Sequence, residues 1–458
     1  MPPLFDIAII GGGASGVLAA IQCLRQATTP LHIALFEPGP RLAEGVAYAT
    51  DRPEHLLNVN SARMSALPDQ PDDFLRWLCT QPGHVEAAQA ALAHGYAPRR
   101  DYAAYLRERL AQAQDGRPAR LQVLPWRISG LARDADGWVL AADDATTRAR
   151  HVLLATGNAP RPLPAHGAAR VPVQCLVEAW DHAAVAAIDP GERVCVVGTG
   201  LSMADALLTL AGNGHRGAVH LLSRHALLPL PHTPAHAVDG DFPLESLHTM
   251  PLRARLRALR QGVRNAAARG LPWQAVMERL RPHGQALWRS LPVAEQRRFL
   301  RHARRHWDVH RHRVAPAVHA LLQDQRDGGR LHLHRAQLDA VIPTADGVCL
   351  RAHAHAGRTL ELTVDRVINA TGLELRVPAM RSPLLAGLLD AGHVRPGAHG
   401  LGLACDAEGR LIDAGGRAQD DLRTIGSLRI GEAWESIAVP DLRGQAEAVA
   451  RAWTTGGI

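Results

Sequence analysis

Asp6-Ile7-Ala8-Ile9-Ile10-Gly11-Gly12-Gly13-Ala14-Ser15-Gly16-Val17-Leu18-Ala19-Ala20-Ile21 is the stretch that decides the fold. A short apolar run of strand length meets a glycine cluster and passes into an apolar helix. Gly11, Gly13 and Gly16 are spaced as GxGxxG. The first glycine makes the tight turn, the second lets backbone approach a pyrophosphate, and the third lets helix and strand pack closely. The helix that opens at Ala14 and Ser15 presents free N–H groups and the positive end of its dipole. A second apolar run, Leu31-His32-Ile33-Ala34-Leu35-Phe36, ends at Glu37, 21 residues after Gly16. An acid at that place bonds ribose hydroxyls, so the segment predicts a βαβ unit that binds a dinucleotide.

The pattern returns at Val194-Cys195-Val196-Val197, followed by Gly198-Thr199-Gly200-Leu201-Ser202-Met203. Gly198 and Gly200 match the first two glycines. Met203 replaces the third and is expected to push its helix off the sheet. The next strand, Ala218–Leu222, ends in Ser223-Arg224-His225, with no acid for a ribose diol. Arg224 suits a 2′-phosphate, which points to NADPH over NADH; the plainer reading is a surface turn cap. Two such units suit a flavin enzyme reduced by a nicotinamide. Val152-Leu153-Leu154-Ala155-Thr156-Gly157 and Val367-Ile368-Asn369-Ala370-Thr371-Gly372 are both strand–ATG segments. They are expected to mark crossings between the two nucleotide domains, which makes Thr156, Gly157, Thr371 and Gly372 candidate cofactor contacts.

The 458 residues are 47% hydrophobic and 21% charged, enough apolar chain for large cores. No apolar run reaches the roughly 20 residues that span a bilayer. The apolar stretch after Met1 lacks a basic flank and reads as fold, not as a signal peptide. There is no lysine, which excludes a Lys Schiff base and a complete Walker A loop. Six scattered cysteines form no CxxC pair, which excludes a redox dithiol of the thioredoxin-reductase kind and gives no zinc knuckle. Scattered thiols suit a reducing compartment, so the expected location is the cytoplasm. No histidine spacing suits a metal. The net charge of +7 is uneven: from Arg253 to Arg313, sixteen arginines face Glu278, Glu295 and Asp308, a local balance of +13. That segment has helical periodicity. It reads either as a solvated basic face or as an insert that draws in an anion. Nucleic acid is not an expected partner, with aromatics at 4% and no recognition motif; nor is a membrane.

Further stretches narrow the reading. Gly45-Val46-Ala47-Tyr48-Ala49-Thr50 leads to His55-Leu56-Leu57-Asn58-Val59 and Met64-Ser65. Arg311-His312-Arg313 precedes Pro316, and Trp434-Glu435 precedes Ala438-Val439-Pro440 and Arg443. On these and the glycine turns, the sequence resembles the FAD/NAD(P)-binding flavoprotein family that includes flavin-dependent N-hydroxylating monooxygenases of the L-aspartate N-monooxygenase type. The resemblance implies FAD on Gly11, Gly13, Ala14, Ser15, Gly16 and Glu37, with the region of Tyr48 and Asn58 against the flavin ring. Gly426-Ser427 stands where many related flavoproteins have Gly-Asp, so Ser427 offers a hydrogen bond but no charge to the ribityl chain. The stretch from Trp434 through Ile437 to Arg443 would open the last helix toward the flavin pyrimidine oxygen. NADPH would lie on Gly198, Gly200, Leu201, Ser202 and Arg224.

The activity so implied is that of an FAD-dependent, NADPH-using monooxygenase. It would N-hydroxylate a small amine or amino acid through a flavin hydroperoxide, with water excluded. Substrate-binding candidates lie in the run Arg304 to Arg313, where forked donors suit a carboxylate or phosphate. Asp308 is spaced to pair with Arg304 and Arg311 instead. His232, Arg311 and Arg313 are the candidate catalytic residues. A Baeyer–Villiger reading is weakened by the lack of FxGxxxH between Gly157 and Val194. A reductase serving an acidic redox protein would use the basic segment for docking. A flavin-bearing sensor or scaffold would have no use for the second turn. The expected fold is α/β, with two Rossmann-type, three-layer dinucleotide-binding domains. The FAD domain takes 1–165 and 325–458, the NAD(P)H domain 166–243 and 314–324, and a basic helical insertion 244–313. A small β meander is expected from Leu121 to Val139.

Overall fold

In the computed structural model, residues 4–84, 89–143, 145–233, 243–354 and 357–454 are described. The ends of the first expected domain, 1–3 and 455–458, and residues 234–242 of the second lie outside them. The chain divides into two units. Unit 1 is Met1–Pro53, Val59–Ala159 and Glu374–Ile458; unit 2 is Glu54–Asn58 and Pro160–Leu373.

Unit 1 begins with β1 (Leu4–Ile10), α1 (Ala14–Gln26) and β2 (His32–Phe36). From Ile7 to Ile10 the first strand is apolar and buried because both its faces are covered there. Phe5, Ala8 and Ile10 share a core cluster with Trp138 and Leu388, while Ile9 faces the start of α1. Helix α1 is buried from Gly16 to Leu24, which is why it carries almost no polar face. The unit continues with α2 (Arg99–Gln114), β3 (Arg120–Leu124), β4 (Gly130–Arg133), β5 (Trp138–Ala142) and β6 (Ala145–Leu154).

Unit 2 supplies β7 (Leu176–Glu178), β8 (Val194–Val197), α3 (Leu201–Gly212) and β9 (Val219–Ser223). The basic segment follows as helices, among them α4 (Leu252–Ala268) and α5 (Arg304–Arg311), and then α6 (Pro316–Asp327). The unit ends with β10 (Leu331–Thr344), β11 (Gly347–Ala354), β12 (Thr359–Val364) and β13 (Arg366–Asn369). Back in unit 1 come β14 (Arg410–Ile412), β15 (Ala418–Thr424) and α7 (Val439–Thr454).

The sheet of unit 1 runs β14-β15-β6-β1-β2-β3, with β5 and then β4 paired onto β6; that of unit 2 runs β12-β11-β10-β9-β8-β13-β7. In each, the strand before the glycine turn is flanked in parallel by the strand that follows its helix and by the strand of the ATG segment. Parallel neighbours put the ends of these three strands together, where open α/β sheets bind ligands.

Two expectations change. Residues 160–165 and 325–373, expected in the first domain, fold with unit 2. There β10 pairs in parallel with β9, and β11 and β12 extend that sheet antiparallel. The short segment Glu54–Asn58 also belongs to unit 2. The meander starts later than expected. β3 continues the parallel sheet beside β2, and the antiparallel run is β4-β5-β6. Alternation alone does not separate a parallel edge strand from a hairpin strand.

Candidate functional site

The site is built twice, once at each glycine turn. In unit 1, Gly11 has φ 110° and its N–H donates to the Phe36 carbonyl at 2.9 Å. A Cβ on it would stand 2.3 Å from the Ala155 carbonyl oxygen, so the turn and the ATG strand fit only without a side chain. In unit 2, Gly198 has φ 110° and donates to Leu222 at 2.9 Å. A Cβ there would stand 2.2 Å from the Ala370 oxygen. Gly13 and Gly200 open helices α1 and α3 with no side-chain cap. The first N–H groups of both helices are left for an anion.

Around the first turn the chain gathers most of the residues named for the flavin. Glu37 takes the Gly12 N–H on Oε2 and the Gly39 N–H on Oε1, both at 2.8 Å. Its carboxylate is thereby aimed, with lone pairs remaining for ribose hydroxyls. Gly426 follows β15, and a Cβ on it would come 3.2 Å from the Ser15 hydroxyl. Ser427 donates to the Gly157 carbonyl at 2.8 Å, which ties the two loops that end β15 and β6. Beside Gly157, the buried Asn158 Oδ1 has no hydrogen-bond partner. Tyr48 packs on Tyr102 with ring centroids 5.0 Å apart. Tyr102 is fully buried, and its hydroxyl also has no partner. Buried polar atoms are seldom left so, and uncapped N–H groups with orphaned acceptors suit a large polar ligand. These residues fit FAD. Ile437, 39% exposed, lies in the turn before α7.

At the second turn, Thr371 and Gly372 follow β13, and the Thr371 hydroxyl bonds Asn369 Oδ1 at 2.7 Å. Ser202 is tied to a residue that sequence reading missed: the Trp180 indole N–H donates to its hydroxyl at 3.0 Å. A hydroxyl that accepts there keeps its own hydrogen for a phosphate. Arg224 is exposed at the end of β9. Partial burial, with Arg224, His306, Arg305 and Arg335 nearby, holds His225 below the ordinary imidazole pKa. This set of cations fits a phosphorylated nucleotide, and Asn58 lies in the same unit.

The candidate catalytic residues do not behave alike. Arg313 is 3% exposed and ion-paired with Glu278, so its guanidinium is committed inside the fold. His232 lies against the Asn58 carbonyl, Nε2 to O 3.0 Å. Burial, helped by Arg313, pushes its pKa down to about 4, so the ring is neutral at neutral pH. Arg304 pairs with Asp308 at 3.6 Å, as its spacing predicts, and Arg311 is half-buried on the same helix. Among the described residues no group of three or more His, Cys, Asp or Glu is arranged for a metal, and no helix is long and apolar enough to cross a membrane.

Two mixed sheets, each parallel around the strand that leads into a glycine turn, define an α/β protein with two Rossmann-type units. Residues 8–159 match the family model described as FAD-NAD(P)-binding, so the first turn belongs to an FAD-NAD(P)-binding domain. No curated protein matches the sequence significantly. Solved structures match along the whole chain. The L-lysine 6-monooxygenase of Pseudomonas syringae has TM-score 0.68 at 20% identity, covering 98% of this chain and 99% of its own. The ornithine N-hydroxylase of Kutzneria sp. 744 has TM-score 0.67 at 15% identity, covering 99% of each chain. The cadaverine monooxygenase of Erwinia amylovora has TM-score 0.67 at 14% identity, covering 99% of this chain and 95% of its own.

Proposed function

We propose that the protein is an FAD-dependent, NADPH-using monooxygenase that hydroxylates the amine nitrogen of a small amine or amino acid. The observation that carries this is the pairing of two unlike turns in one chain. One ends in an acid suited to a ribose diol, and the other in an arginine cluster suited to a 2′-phosphate. Likeness over the full length to enzymes whose names specify ornithine, lysine and cadaverine supports the reaction class.

When bound, FAD supplies the redox and oxygen chemistry, with NADPH as the source of electrons. The protein's share is binding and orientation. The open ends of α1 and α3 receive the diphosphates, and Glu37 holds the ribose of the first nucleotide. Ser427 fixes the loops at the edge of that site, and the Trp180 indole holds the Ser202 hydroxyl in place at the start of α3. His232 stays uncharged because burial and the nearby Arg313 and Arg281 oppose its protonation, so its ring serves as a neutral hydrogen-bonding group against the Asn58 carbonyl.

A second reading, electron delivery to an acidic protein, draws on α4, where Arg253, Arg257, Arg260 and Arg264 are exposed at helical spacing. The chain's lack of a CxxC pair removes the dithiol route. The deciding experiment measures NADPH consumption and hydroxylamine formation with ornithine, lysine, cadaverine and aspartate. The expected result is yellow protein with stoichiometric FAD and a hydroxylamine from at least one amine. Protein that cannot take up FAD overturns the proposal. Turnover only with an added acidic acceptor protein, and no hydroxylamine, favours the second reading.

A further inference from the structure

The structure assigns Arg305, carried by the helical insertion, as the positioning residue of the second nucleotide turn; through it the insertion sets the preference for a 2′-phosphorylated nucleotide. This rests on the NADPH reading above and deepens it.

The Nη2 group of Arg305 donates to the Thr199 carbonyl at 2.7 Å, the Thr199 hydroxyl at 3.0 Å and the Leu227 carbonyl at 2.8 Å. Thr199 is the central residue of the Gly198-Thr199-Gly200 turn, and Leu227 lies three residues past Arg224. The two ends are joined again by a second set of bonds. The Thr199 and Ser223 hydroxyls meet at 3.0 Å. The Ser223 oxygen accepts the Ala226 N–H at 3.0 Å, where the chain turns through φ 50°. One guanidinium therefore ties the phosphate turn to the loop that follows Arg224, and the Thr199 hydroxyl carries the link on to the end of β9.

The charge of Arg305 is part of the argument. Every acceptor it touches is neutral. The carboxylate that acts on it is Asp308, which is bridged to Arg304 at 3.6 Å. Burial disfavours this cation, which is held below the usual guanidinium pKa. Arg335, the register partner of Ser223 across β9 and β10, adds another cation that, like Arg224 and Arg305, acts on His225. Cations gathered beside free N–H groups, without a matching carboxylate, are complementary to an added phosphate dianion. All three bonds leave the single Nη2 nitrogen, and a lysine keeps the charge on a stem one bond shorter, so it brings its nitrogen less fully to the same place.

The test titrates the FAD-loaded protein with adenosine 2′,5′-bisphosphate and with 5′-AMP by calorimetry. Wild type is expected to bind the bisphosphate more tightly. Arg305→Met is expected to lose about tenfold or more in bisphosphate affinity and less than about threefold for AMP, because the lost contacts position the 2′ site. Arg305→Lys keeps the charge and is expected to fall between. Flavin content and melting temperature serve as folding controls. If wild type shows no preference, the NADPH reading fails and takes this inference with it. If wild type shows the preference and Arg305→Met keeps it, or loses both nucleotides equally, the positioning role alone is overturned. If the Met variant does not fold, Arg305→Lys decides: a preference equal to wild type refutes the role.

Discussion

In unit 1 a Cβ on Gly16 would stand 1.9 Å from the Gly11 carbonyl oxygen; in unit 2 the same position of the motif carries the whole side chain of Met203. That side chain is fully buried, in one core cluster with Val196, Leu207 and Leu221. The first helical hydrogen bonds are 3.0 Å for Val17 to Gly13 and 3.3 Å for Ala204 to Gly200. The first glycines of the two turns nonetheless share φ and their strand contacts. The pyrophosphate turn is therefore fixed by its first glycine and the ATG strand beside it. The third glycine sets only how closely helix meets turn: a methionine there requires the second helix to stand farther out. The second difference is electrostatic. Glu37 is held by two backbone N–H groups at the first turn, whereas Ser223 and Arg224 occupy that place at the second.

The largest effect should come from placing a methyl group where the first turn closes. Gly11→Ala is expected to abolish FAD retention, because a non-glycine φ and a carbonyl collision combine to cost several kcal/mol, on the order of the 1–3 kcal/mol of a strained backbone plus the clash. Gly198→Ala should leave FAD bound and remove the response to NADPH. Absorbance of the purified variants separates the two, and retained flavin in Gly11→Ala would break the equivalence of the turns. Next, Met203→Ala should destabilise the protein by about 2–5 kcal/mol, as a buried deletion does, without loss of flavin binding stoichiometry. Denaturant unfolding measures it; a change within about 0.5 kcal/mol, the scale of surface substitutions, would mean that Met203 is not the spacer.

Arg224→Ala should raise the NADPH KM about tenfold, the size of a lost charged hydrogen bond, and leave the NADH KM nearly unchanged. Equal effects on both would sever the 2′-phosphate from Arg224. The smallest effect is pH-dependent and separates the sheets. In unit 2, His220 lies 3.0 Å from His334, Nδ1 to Nε2, and its ring stacks on His332 at 5.0 Å. Burial and these neighbours push His220 down to about 4 from its ordinary 6.5. Because the unfolded chain binds that proton first, stability should fall as pH drops from about 6.5 toward 4. His220→Asn should flatten that part of the curve; an unchanged acid slope would show that the trio carries no linkage.

Much of the fold is legible in local pattern. The strand–turn–helix of Gly11 and that of Gly198 are short-range signals, since the apolar run, the glycine spacing and the helix all lie within about two dozen residues, although the carbonyls that forbid a side chain at Gly11 and Gly198 come from the distant ATG segments. Glu37 and Arg224 are legible for the same reason, each standing at the end of the next strand. The ownership of residues 325–373 is not, because strand pairing across more than a hundred residues leaves no mark in a single sequence. The burial of Arg313 against Glu278, which the charge run concealed, also depended on packing.

By itself the sequence determined that the chain folds around two dinucleotide turns and which of them carries an acid. Glycine spacing and apolar runs act locally, so a linear reading suffices. Only the tertiary structure decided that Trp180 reaches Ser202, that Tyr102 keeps an unbonded hydroxyl, and that Arg305 grips Thr199 from 106 residues away. Such contacts depend on where whole elements dock, and docking is set by the sum of many weak packing terms rather than by any motif.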